Sequence, residues 1–244
     1  LTAVAVSISF IFLSMARERT EKPAANRPQG RAFWASLPVI LRQNRNYSNY
    51  LVYRVLLVFG AMASAFITVY GVNKLGITDA QAGTMTLVMM LVETGAYPAL
   101  GFLGDHIGHR RTMQLAALSS GLTALAALLA PSAEWYVVVY VLLGLSISAT
   151  MVSNLSAIYD FCKPEEVPTY VGLTATLVAV PSFVAALLGR VIASAANYET
   201  VFAIAVLFSA ASLAMLIWGV REPRHEKRAE VEAFEPAGAV HDEL

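Results

Sequence analysis

Polar and charged residues fall in short clusters along this chain, and the stretches between them are apolar on every helical face. Six such stretches lie at about residues 50–72, 80–103, 113–130, 135–158, 170–193 and 201–220. Each is roughly 18–24 residues long, enough for a helix to cross a hydrocarbon layer of ~30 Å. A surface helix of a soluble domain keeps a polar face; six in succession without one predict membrane helices. Backbone groups in lipid must bond within their own segment, which favours helices over isolated strands. The alternation expected of barrel strands is missing. The expected fold is all-α, a polytopic transmembrane helix bundle over residues 50–220.

The flanking segments read differently. Residues 1–15 are apolar, with Thr2, Ser7, Ser9 and Ser14 as mild breaks, and are too short to span. Arg17 and Arg19 follow this run, whereas a signal peptide carries its basic residues in front. The segment is therefore expected to be the end of a truncated span, and the chain a fragment of something longer. Residues 16–49 form a linker between spans. Its second part sets Phe33, Trp34, Leu37, Ile40 and Leu41 on one side, with Arg42 and Arg45 nearby. This suits either a helix lying in the membrane interface or a disordered approach to the next span. Residues 221–244 are charged and poor in large apolar side chains, as disordered tails are.

Composition narrows the class. The chain is 57% hydrophobic and 14% charged, against about a quarter charged in soluble domains. Its formal net charge is zero, so no net field draws it to nucleic acid. The single cysteine, Cys162, excludes an internal disulfide and a metal site built from cysteines alone. No cofactor is expected. Basic residues alternate between connections. They crowd residues 16–49, the turn at Arg110 and Arg111, and the tail from Arg221, while the connections at 131–134 and 194–200 have none. Positive residues favour the cytoplasm, so the linker, that turn and the C-terminus are expected inside, in the plasma or inner membrane.

The turn between the second and third spans reads GFLGDHIGHRR from Gly101 to Arg111. It resembles the loop motif of the major facilitator superfamily, G-x-x-x-D-(R/K)-x-G-(R/K)-(R/K), with Gly101, Asp105, Gly108, Arg110 and Arg111 on the motif positions. A half-span, a long basic linker and six spans resemble the C-terminal half of such a carrier. The resemblance implies a 3+3 inverted repeat, a missing N-terminal six-helix bundle as partner, and transport by alternating access. It also implies a conformational latch in which Asp105 clamps two helices. Physically, Gly101 and Gly104 are expected to allow close helix approach, Gly108 a tight reversal, and Asp105 a charge near a helix N-terminus. His106 and His109 stand where the family places Arg or Lys. Either Arg110 substitutes for the missing charge, or the latch is weak or pH-sensitive. Asp160 is a candidate partner for Arg110 or Arg111, or an exposed helix-end carboxylate.

Candidates for solute chemistry are fewer. Glu93 lies twelve residues before Asp105, about 18 Å along a helix, which places it near mid-membrane. An ionisable group there is costly and suggests function, here proton carriage, or else a protonated carboxyl bonded to a neighbouring helix. Thr86, Met89, Met90 and Tyr97 share its face. Ser146, Thr150, Ser153 and Asn154 form a polar stripe on the fourth span, whose serines suit helix packing and whose Thr150 and Asn154 are candidate solute contacts. Tyr70, Tyr97 and Tyr159 either line a cavity or sit in interfacial belts, the belt suiting Tyr70 and Tyr159 near helix ends. Arg54 is expected to snorkel or else to make a gating contact, Arg190 to snorkel, and Pro98 and Pro181 to kink their helices. Two short motifs are coincidental in this setting. His106-Ile-Gly-His109 matches a nucleotide-binding signature that needs a soluble fold, and His241-Asp-Glu-Leu244 matches an ER-retention address on a tail expected to be cytoplasmic.

The sequence therefore points to a membrane carrier for a small solute, proton-coupled or not. The alternative is a non-transporting sensor or assembly factor on the same scaffold. An intramembrane enzyme finds no paired nucleophile and base.

Overall fold

In the computed structural model, residues 41–42, 44–162 and 166–220 are described. The expectations for residues 1–15, for the interfacial helix before Leu41 and for the tail from Arg221 lie outside them. The helices are α1 (Arg45–Gly60), α2 (Ile67–Leu75), α3 (Asp79–Ile107), α4 (His109–Leu128), α5 (Tyr136–Phe161), α6 (Val167–Ala195) and α7 (Tyr198–Gly219). A 3₁₀ segment, Ala61–Phe66, joins α1 to α2, and together they make one span, Arg45–Leu75. Every described element is helical.

Helix starts follow local chemistry. Asn44 accepts from the Tyr47 amide (3.0 Å) at the head of α1, and Asn197 from the Thr200 amide (2.8 Å) at the head of α7. Thr78 and Gln81 form a reciprocal capping box on α3, with the Gln81 side chain accepting from the Thr78 amide at 2.9 Å. Each bond satisfies a donor that the first helical turn leaves open. Gly76 ends α2 at φ 65°, and Gly108 reverses the chain between α3 and α4 at φ 92°. An L side chain at either position would be strained.

Five of the described spans are long and apolar enough to cross a membrane: Arg45–Leu75, α3, α5, α6 and α7. The sixth, α4, carries Arg110, Arg111, Gln114 and several hydroxyls, and falls short on apolarity. It is nevertheless well buried, with Thr112, Ala116, Ser119 and Ala127 at 1% exposure or less. It packs on α5 and on α7 along its length. Lipid tails give no hydrophobic drive to helix association, so small residues that let backbones close in decide which helix goes inside. In contrast, α3 is apolar and mostly uncovered, with Leu91 and Phe102 each about two thirds exposed (64% and 66%).

The packing repeats itself with a swap. Helix α4 packs on α5 as α7 packs on α1; α3 leans on α5 as α6 leans on α1; α4 and α7 meet each other. Exchanging the first three spans with the last three reproduces the pattern. Three is odd, so the second triplet enters the membrane from the opposite face, which makes the repeat inverted.

Both proline helices, α3 through Pro98 and α6 through Pro181, run as unbroken helices. The interruption falls in the first span instead, which has no proline. It is pinned at both ends by glycines. A Cβ on Gly60 would lie 2.3 Å from the Ser209 hydroxyl of α7, and one on Gly189 of α6 would lie 2.9 Å from the Phe66 ring. Between these points Ser64 turns its hydroxyl back on the Ala61 carbonyl (2.7 Å), a bond that competes with the helix's own ladder.

Candidate functional site: a polar wall at the interrupted span

A cavity of about 180 Å³ opens where the first span is interrupted. Gly60, Ala61 and Ser64 form one side, Ser120 and Thr123 of α4 the back, and Ser146 and Thr150 of α5 the other side. It lies between two helices that the repeat exchanges, the first span and α5. Carrier sites are commonly built there, from discontinuous helices near mid-membrane. A volume of about 180 Å³ is below the ~300–1,000 Å³ of complete small-molecule pockets.

The polar groups divide into two kinds. Thr123 gives its hydroxyl to the Ser119 carbonyl (2.7 Å), and Ser209 gives its own to Ser120 (3.3 Å). Ser153 bonds back to the Ala149 carbonyl (2.6 Å) and is buried, away from the cavity. These serve packing. Ser146 and Thr150 line the cavity, and Asn154 continues their row one turn further along α5.

Asn154 does not stand alone. Its side-chain oxygen accepts a hydrogen bond from Nη1 of Arg54 on α1. Arg54 therefore reaches across to α5 and does not snorkel as expected. The Arg54 Nε is buried without a partner, and so is the hydroxyl of Tyr50, one turn earlier on the same face and 1% exposed. No carboxylate pairs with Arg54 among the described residues. Beneath them Tyr47, Tyr50 and Phe161 form an aromatic cluster, with Tyr50 and Phe161 centroids 5.0 Å apart. The Tyr47 hydroxyl meets that of Thr174 at 2.8 Å, tying α1 to α6.

Glu93 sits half-buried in the middle of α3. It lies beside Met89 and Val92, which press on Gly144 of α5. No hydrogen bond or ion pair engages it among the described residues. Tyr97 is one turn away and 38% exposed. Glu93 and Tyr97 do not line the cavity, so the candidates fall into two groups on different helices.

The Gly101–Arg111 turn closes the same end of the bundle as Asn44 and Phe161. Gly104 allows close contact as expected, since a Cβ there would lie 2.9 Å from the His109 ring. Gly101 does not: no described atom comes within 4 Å of such a Cβ. His109 is buried under Gly104 with its Nδ1 unpartnered, while His106 is exposed and stacks on Phe102. Arg110 donates to the carbonyls of Leu216 (3.3 and 3.2 Å) and Ile217 (2.8 Å), the last turn of α7. A cation there satisfies open carbonyls and the negative helix end. Asn49 donates to the Gly219 carbonyl of the same end. Asp105 and Arg111 are exposed, and Asp160 falls in the last turn of α5.

At the far end Lys74 pairs with Glu199 and donates to the Tyr70 hydroxyl (2.6 Å). Tyr70 is 4% exposed and edge-on to Phe202. It belongs to this cluster and not to an interfacial belt as expected. Tyr159 and Arg190 are exposed.

The interrupted span and the Arg54–Asn154 contact were missed from sequence. The small-residue run Gly60-Ala-Met-Ala-Ser-Ala65 was the available signal for the first. The partners in the second are 100 positions apart.

Two comparisons bear on identity. No curated protein matches the chain significantly. The profile of the Major Facilitator Superfamily matches residues 55–241, well over half of the sequence, from the first span through the last. An all-helical bundle, an inverted repeat, the Gly108 reversal and this match agree: the chain belongs to the Major Facilitator Superfamily, a family of membrane transporters.

Proposed function

We propose that this chain forms the C-terminal half of a carrier that moves a small solute by alternating access. The cavity at the interrupted first span, between the two repeat-related helices, carries this reading. Ser64, Ser146 and Thr150 line or border it with hydroxyls, and Arg54 and Asn154 extend the same wall. An N-terminal six-helix bundle would close the open side, which fits a cavity smaller than a complete pocket. The Gly101–Arg111 turn would then act as the cytoplasmic latch, with Asp105, Arg110, Arg111 and Asp160 as its polar members and the C-terminus inside. Glu93 would carry a coupled proton, since a mid-span carboxylate without a partner among the described residues is costly unless used.

Flux through the intact protein in proteoliposomes tests the reading. Thr150→Trp fills the cavity and should stop transport while the protein remains folded. Undiminished flux would contradict the assignment. Absence of flux in the wild type for every solute tried, with binding retained, would favour the sensor alternative. Glu93→Gln should abolish transport driven by a pH gradient, and full gradient-driven flux in that variant would remove proton coupling.

A further inference from the structure

The charge of Arg54 has no counter-ion among the described residues. It is half-buried inside a span, where an ionised group is costly. Its Nη1 is spent on a neutral partner, Asn154. Its Nε is buried and unpartnered, and the 1%-exposed Tyr50 hydroxyl on the same helical face is unpartnered too. The two residues are one helical turn apart on α1. Side chains of this kind are normally satisfied when buried, and an unsatisfied one calls for an explanation. Asn154 holds the guanidinium by Nη1, and the buried Nε on its other edge has no partner. That edge presents two parallel N–H donors, the fork that fits the two oxygens of a carboxylate or phosphate. The tyrosine hydroxyl supplies a third donor.

Resting on the transport reading above, we propose that the carried solute is an anion, held through a carboxylate or phosphate group by the Nε–Nη2 edge of Arg54 and the hydroxyl of Tyr50. Asn154 orients the guanidinium, and Ser146 and Thr150 contact the rest of the solute. Arrival of the anion neutralises the buried charge. A solute that binds in this way is selected by its charge before its shape.

The test is a thermal-unfolding panel on the intact protein in nanodiscs, with acetate, succinate, citrate and inorganic phosphate as probes and glucose and choline as controls. At least one carboxylate or phosphate should stabilise the wild type, and the carboxylate and phosphate arms identify the group. Arg54→Gln should weaken that binding by about tenfold or more, and Tyr50→Phe and Asn154→Ala by less. Arg54→Lys keeps the charge and loses the fork, so it should fall between wild type and the glutamine variant. It also decides the matter if Arg54→Gln does not fold, since unchanged anion affinity in Arg54→Lys would overturn the fork. Failure of all four anions to bind the wild type, or equal binding to Arg54→Gln, overturns the proposal. Flux that Thr150→Trp stops and Arg54→Gln leaves intact overturns the anion assignment alone. Flux that survives Thr150→Trp overturns the transport site itself.

Discussion

Two arginines on neighbouring helices meet opposite fates. Arg110, at the head of α4, spends its guanidinium on carbonyls of Leu216 and Ile217 at the end of α7. Its charge sits where a helix end is negative and backbone oxygens are open. Arg54, inside the first span, has one neutral partner and a buried Nε with none. The first arrangement is complete within the bundle and holds it together. The second is incomplete among the described residues, and incompleteness inside a membrane points to something that arrives. The same contrast separates hydroxyls on one helix, where Ser153 is bonded back to its own backbone and Thr150 lines the cavity.

The largest expected effect tests this difference at Arg54. Arg54→Gln removes a charge that contributes little to folding, so transport should fall by about tenfold to a hundredfold, the worth of a charge-assisted bond of about 1.5–3 kcal/mol. Its unfolding temperature should hold or rise. A large loss of stability with it would make Arg54 a structural residue like Arg110. Next in size is Gly60→Val, since a Cβ there would lie 2.3 Å from the Ser209 hydroxyl and 3.1 Å from the Ser209 backbone nitrogen. Overpacking of this kind costs about 1–3 kcal/mol and should lower the unfolding temperature measured in detergent. Arg110→Gln comes third. It gives up the carbonyl bonds at the end of α7, for about 1–2 kcal/mol, read in the same melt. The smallest effect separates the two motif glycines. Gly101→Ala meets open space in this bundle and should be neutral or stabilising by up to about 1 kcal/mol. Gly104→Ala must push against the His109 ring and should destabilise. Equal effects at both glycines would undo the distinction.

Much of the architecture was legible in the chain because membrane helices obey a local rule. Apolar length sets a span, and charge sets its ends. Residues 50–72, 80–103 and 170–193 fall within helical segments, the other three stretches overrun theirs by one or two residues, and Gly108 reverses the chain where the motif requires it. Even α4 was found, although its burial owes more to Ala116, Ser119 and Ala127 than to apolarity. What could not be read depends on distant partners. At the break, Ser209 of α7 lies close against Gly60 and Gly189 of α6 close against Phe66. Arg54 appeared as a snorkelling side chain because nothing near it in sequence says that Asn154 faces it. Thr150 and Asn154 were marked as a stripe by their spacing alone, but the direction of that stripe came only with the packing.

The most direct measurement of the central claim is accessibility at Thr150. With Cys162 and any further cysteine of the intact protein replaced by Ser, Thr150→Cys is the only thiol, and a membrane-impermeant sulfhydryl reagent can be applied from either side. If the interrupted span borders an alternating solute path, the thiol should react from each side in turn as solute gradients bias the carrier, and its modification should block flux. A thiol that reacts from neither side, or flux that continues after it has reacted, would contradict the account.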